Sequence, residues 1–229
     1  MMVMEWCSEG DMRKNLDQCK TFDDVYRRII RISKGLSSIH KQGLCHKDLH
    51  LGNILHGSHI LYISDLGLSG PADKEIIKNN QVVGVLPYIA PEVLNGQSYT
   101  QAADIYSLGI IIWAIIVKQQ PFCDKDFTDS QFYWDIYQGK RPDIPSWIPD
   151  WLTELILNCW KSDPTMRPSA MDITLLLEDM HDIEKIQKGF YNNNLPLADI
   201  NPVQIHPSAI YHSCVYPTVS QLLSHQESP

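Results

Sequence analysis

The chain has 229 residues, 44% hydrophobic and 20% charged, the balance of a globular protein with an ordinary core. Its formal net charge of −8 argues against a nucleic-acid partner or an anionic membrane surface, since both need clustered basic residues. Six scattered cysteines (Cys7, Cys19, Cys45, Cys123, Cys159, Cys214) form no Cys-x-x-Cys pair, so free thiols in a reducing compartment are expected rather than a zinc site.

Met1 to Trp6 is short and apolar, the pattern of an edge strand or its tail, and too short for a signal peptide with Glu5 inside it. From Asp23 to Gln42, Val25, Ile29, Ile32, Leu36 and Ile39 recur at three- and four-residue steps, which predicts an amphipathic helix stopped by Gly43. Two short apolar stretches, Asn53 to Leu55 and Ile60 to Ile63, flank His56 to His59 and predict a small hairpin. Leu66 to Tyr99 has no sustained period and reads as a long loop. Ala102 to Val117 predicts a helix ending before Pro121. Its apolar run, Ile105 to Val117, falls short of the roughly 20 residues that span a bilayer, so it reads as a buried central helix. Further helices are expected at Phe127 to Tyr137, Asp150 to Trp160 and Ser169 to Ile186, with Asp150 and Ser169 at cap positions. After Gly189 the composition shifts to Asn, Pro, His, Ser and Gln without a period, which predicts a disordered tail that does not pack. No signal peptide or membrane-spanning helix is visible, and a cytoplasmic location is expected.

The chemistry-bearing residues cluster around the hairpin. Asp48 is followed after four residues by Asn53, and Asp65 lies beyond the hairpin with Gly67 behind it. Alone, Asp48 reads equally well as a loop carboxylate capping a turn. Set before a hairpin, Asn53 and Asp65 offer hard oxygen ligands for Mg2+, and Asp48 stands near an incoming hydroxyl. Gly67 lets the backbone turn away from the metal.

His46-Lys47-Asp48-Leu49-His50-Leu51-Gly52-Asn53 resembles the catalytic loop of eukaryotic protein kinases, and Asp65-Leu66-Gly67 resembles their metal-binding Asp-Phe-Gly. Gly84 to Glu92, ending in Ala90-Pro91-Glu92, resembles the end of the activation segment. Asp104 to Gly109 resembles the start of the buried central helix. Pro164 to Pro168 resembles the site whose arginine pairs with the segment's glutamate. Met4-Glu5-Trp6 with Gly10-Asp11-Met12 is similar to the hinge and first helix of the large lobe. The signatures run in family order over residues 1–188, and the loop is most similar to tyrosine-kinase-like kinases of fungal type. The resemblance implies a mainly α fold, the kinase C-terminal lobe with small β-hairpins at the cleft, followed by a tail at 189–229.

What the resemblance implies can be assigned residue by residue. Asp48 would take or orient the proton of a substrate hydroxyl attacking the γ-phosphate of ATP, while Asn53 and Asp65 hold Mg2+. Glu5, Cys7 and Leu55 would line the nucleotide. His46 would pack and hydrogen-bond, Asp104 would cap the catalytic loop, and Glu92 with Arg167 would form a buried structural pair. Lys47 stands where an arginine usually clamps a phosphorylated loop, and it supplies a point charge instead of a planar fork. Only Ser69 and Tyr88 carry hydroxyls between Leu68 and Ile89, so loop phosphorylation is weakly supported as a switch. Val85 and His50 fit neither the Ser/Thr nor the Tyr pattern, and the general resemblance favours Ser/Thr acceptors.

No Gly-rich loop or strand lysine stands ahead of Met1, so the expectation is a large lobe without the N-terminal lobe and with little activity by itself. Each missing electrostatic contact of this kind typically costs about 10²–10³ in rate. The apolar Met2, Val3, Met4 and Trp6 would then mark a surface for a protein partner. Two other readings are a non-catalytic, pseudokinase-like interaction module and a small-molecule phosphotransferase sharing the catalytic loop. The second is disfavoured by Ala90-Pro91-Glu92 and Arg167, which belong to the segment that binds protein substrates.

Overall fold

The computed structural model describes residues 7, 9–57, 60–72, 81–186 and 205–226. Helix α1 (Phe22–Lys41) begins in a reciprocal cap. Asp24 N donates to Thr21 Oγ1 at 3.1 Å, and Thr21 N donates back to Asp24 Oδ2 at 2.9 Å. Its apolar face buries Val25, Ile29, Ile32 and Leu36. The four short strands that follow are β1 (Leu44–Cys45), β2 (Ile54–His56), β3 (Leu61–Ile63) and β4 (Gly70–Pro71). β2 and β3 form the predicted hairpin, with Leu55 opposite Tyr62. β1 pairs with β4 and closes the loop between them.

The stretch predicted as one long loop is more ordered than its sequence suggests. It contains β4, β5 (Gln81–Gly84) and α2 (Pro91–Leu94), elements too short to print a period on the sequence. Helix α3 (Gln101–Val117) is buried from Ala103 to Val117, as an all-round apolar helix must be. Gly109 lets α5 (below) approach closely, because a Cβ there would lie 2.7 Å from the Cβ of Cys159. No helix among the described residues is long and apolar enough to cross a membrane.

Helix α4 (Ser130–Tyr137) starts three residues later than expected, because the Asp129 side chain accepts from Gln131 N at 2.8 Å and sets the cap there. Helix α5 (Asp150–Cys159) has Pro149 at its cap position, so Asp150 is its first residue rather than its cap. Helix α6 (Ala170–Ile186) is capped by Ser169, whose Oγ accepts from Asp172 N at 3.1 Å. α6 packs along α1, where Tyr26 Oη donates to the Leu177 carbonyl at 2.9 Å.

The tail departs from expectation. Residues 187–204 lie outside the described part, but 205–226 pack on the body. Strand β6 (Cys214–Pro217) pairs antiparallel with β5, placing Gly84 opposite Cys214, Val83 opposite Val215 and Val82 opposite Tyr216. Helix α7 (Val219–Gln226) follows, with Thr218 and Val219 buried. Long-range strand pairing and scattered aromatic contacts leave no local period, which is why composition alone suggested disorder.

Candidate active site

The turn between β1 and β2 is built around Asp104, whose carboxylate has no solvent exposure. Its oxygens accept from His46 N at 2.7 Å, Lys47 N at 3.0 Å and His40 Nε2 at 2.9 Å. These bonds hold Lys47 at φ 73°, a backbone conformation a long side chain adopts only under such restraint. His46 completes the brace. Its Nε2 donates to the Ser64 carbonyl at 2.9 Å, and its Nδ1 accepts from Asp48 N at 3.3 Å.

Asp48 and Asn53 are therefore fixed together. Asn53 Nδ2 donates to the Asp48 carbonyl at 2.8 Å, which turns its Oδ1 away from that bond. Ser64 N and Oγ donate to the Asn53 carbonyl at 2.8 and 3.1 Å, tying Asn53 to the residue just ahead of Asp65. Asp65 sits in the left-handed region at φ 60°, with its exposed carboxylate accepting from Gly67 N at 3.3 Å.

The Asp48 carboxylate is nearly buried. Ser213 Oγ donates to its Oδ2 at 2.5 Å, and His50 Nε2 stands 3.8 Å from the same oxygen. Burial alone would raise its pKa, but the His50 and Ser213 contacts and the neighbouring imidazoles outweigh that and hold the carboxyl below its ordinary range. Gly84 approaches from β5 at φ 152°, and a Cβ there would lie 3.7 Å from Asp48 Oδ1.

Two hard oxygen donors, Asn53 Oδ1 and the Asp65 carboxylate, fit Mg2+, which is commonly held by one or two protein oxygens with phosphates and water completing the shell. No group of three or more His, Cys, Asp or Glu able to hold a metal exists among the described residues, so a dedicated all-protein cage is not what the site offers. Further off, Arg167 grips Glu92 with two bonds and donates its Nε to the Lys161 carbonyl at 2.8 Å. Cys7 and Leu55 lie in adjoining strips, because Asp11 bridges to Leu55 and His56 N donates to the Gly10 carbonyl at 2.8 Å. Glu5 and the apolar residues Met2 to Trp6 lie outside the described residues.

A family profile for protein tyrosine and serine/threonine kinases matches residues 1–177. The chain belongs to the protein kinase family. Among curated kinases, a probable serine/threonine-protein kinase of Dictyostelium discoideum is 32% identical over 217 residues, 87% of this chain and 12% of that protein. A serine/threonine/tyrosine-protein kinase of Arabidopsis thaliana is 28% identical over 77% of this chain and 46% of its own length. Mitogen-activated protein kinase kinase kinase 7 of Bos taurus is 29% identical over 77% of this chain and 32% of its own length. The matched stretch thus spans less than half of each of these kinases.

Sequence reasoning left three residues out of the site. His40 and His50 are on the Asp104 and Asp48 carboxylates, and their positions near the catalytic loop were the available signal. Ser213 gave none, since it joins the site from 165 residues away.

Proposed function

We propose that this kinase chain takes part in Mg2+- and ATP-dependent phosphoryl transfer to serine or threonine hydroxyls of proteins. The observation that carries the reading is the Asp104-braced loop, which fixes Asp48 and Asn53 against each other through the 2.8 Å amide–carbonyl bond. Phosphoryl transfer asks a protein mainly for positioning and electrostatic stabilisation, and a braced loop supplies the first.

Asp48 accepts the proton of the acceptor hydroxyl. Its depressed pKa keeps it ionised at neutral pH, ready to accept. Asn53 and Asp65 would hold the metal through their side-chain oxygens. Bound there, Mg2+ would neutralise charge developing on the phosphates. Glu92 and Arg167 pin the segment that ends at α2 to the helical body, so that the acceptor side of the site keeps its shape. Residues 1–188 read as the larger lobe of a kinase domain, with Cys7 and Leu55 toward the nucleotide and with the described tail packed against it.

Nucleotide-dependent thermal stabilisation tests this reading. ATP with Mg2+ should raise Tm, since a ligand that binds only the folded state stabilises it by mass action. Asp65→Asn should remove most of the rise, and leaving out Mg2+ should do the same. A rise that survives both changes would rule out the metal assignment.

A further inference from the structure

We propose that residues 211–217 form an internal substrate strand and that Ser213 is a site of intramolecular autophosphorylation. This rests on the phosphoryl-transfer reading above and adds the acceptor. The Ser213 hydroxyl occupies the position an acceptor needs, donating to Asp48 Oδ2 at 2.5 Å, within the reach required of a general base and its proton.

The strand around it is seated as a recognised peptide would be. β6 adds to the open edge of β5 in antiparallel register, a common mode of peptide recognition in which main-chain bonds supply affinity. The pairing of Gly84 with Cys214 sets Ser213 just past the strand end, beside the glycine that borders Asp48.

Anchors stand on both sides. Upstream, the Tyr211 carbonyl accepts from Arg13 Nη1 at 2.8 Å, and its Oη donates to the Pro121 carbonyl at 2.8 Å. Its ring meets Phe127 edge-on at 5.2 Å. Arg13 is itself fixed by Asp11, with Nη2 to Oδ2 at 2.8 Å. Downstream, Tyr133 Oη donates to the Pro217 carbonyl, and Thr218 and Val219 are buried. Anchoring on both sides turns an encounter between two molecules into a unimolecular step, worth many orders of magnitude in effective concentration.

Ser213 Oγ forms a new O–P bond with the terminal phosphorus of a bound nucleoside triphosphate, and the bridging P–O bond breaks. The nucleoside diphosphate leaves with that electron pair, while the hydroxyl proton passes to Asp48 Oδ2 and on to solvent. The product then carries about −1.5 to −2 charge beside the Asp48 carboxylate. Like-charge repulsion frees the strand, and the β5 edge opens to an acceptor on another protein.

The test uses the protein expressed from its complete coding sequence and stripped of phosphate. It is incubated with ATP and Mg2+ beside myelin basic protein, and phosphate on Ser213 is followed by mass spectrometry across a tenfold dilution. Ser213 should be modified with a rate constant unchanged by dilution, blocked in Ser213→Ala and restored in Ser213→Thr. Without nucleotide, amide hydrogen exchange at residues 81–84 and 214–216 should be slow in the native protein. It should be about tenfold faster in Ser213→Glu, the scale of losing one hydrogen bond to a charged group. Labelling of myelin basic protein with Ser213 untouched would overturn this proposal and leave the kinase reading standing. Transfer to neither acceptor would overturn both. A rate that falls with dilution, or exchange unchanged in Ser213→Glu, would also overturn it.

Discussion

Arg167 and Glu92 meet through two parallel bonds, Nη1 to Oε1 at 2.7 Å and Nη2 to Oε2 at 2.8 Å, with the arginine side chain wholly out of solvent. Removing one partner of such a pair leaves a buried charge, so Arg167→Ala should lower unfolding free energy by about 3–5 kcal/mol. The Lys34–Glu178 pair is half exposed, and Lys34→Ala should change stability by no more than about 0.5 kcal/mol. Denaturant midpoints for the two variants check the contrast; equal shifts would contradict the structural role of the buried pair.

The helices were legible because each buries one face or all faces. Val25 through Leu36 print a helical period, and Ile105 through Val117 print a continuous apolar run. The catalytic loop was legible as a pattern of residue types at fixed spacing. β5, β6 and the Ser213–Asp48 contact were not, because strand pairing over more than a hundred residues leaves no local signature. Helix boundaries shifted where Asp129 caps a helix expected to start at Phe127, and where Pro149 takes the cap position expected of Asp150.

The packed tail makes a thermal prediction opposite to the one its composition suggests. Full burial of a residue such as Val219 contributes about 1.5–3 kcal/mol, and the tail adds the β6 ladder and the Tyr211 contacts. Deleting residues 205–229 should lower Tm by about 3–12 °C in a chain of this size. An unchanged Tm by calorimetry would mean that the tail does not pack.

His56 gives the fold a pH dependence. Burial first, and then the Arg28 guanidinium, push its pKa down to about 4 from 6.5. The folded state therefore resists a proton that the unfolded chain accepts. The neutral imidazole costs nothing above pH 6.5; stability falls as pH drops from 6.5 toward 4 and levels off below. His56→Gln should flatten that part of the profile. The check is the Tm of the native protein minus that of the variant from pH 7.5 to 3.5, which should hold constant above pH 6.5, fall between 6.5 and 4, and level off below.

We propose that Asp48 takes the acceptor's proton in phosphoryl transfer. The direct measurement is transfer of radiolabelled terminal phosphate from ATP to a generic protein substrate, by the native protein and by Asp48→Asn, with phosphoamino-acid analysis of the product. Mg2+-dependent labelling of serine or threonine should fall about 10²- to 10⁴-fold in Asp48→Asn, the usual contribution of a positioned general base. Labelling by Asp48→Asn at the native rate would contradict it.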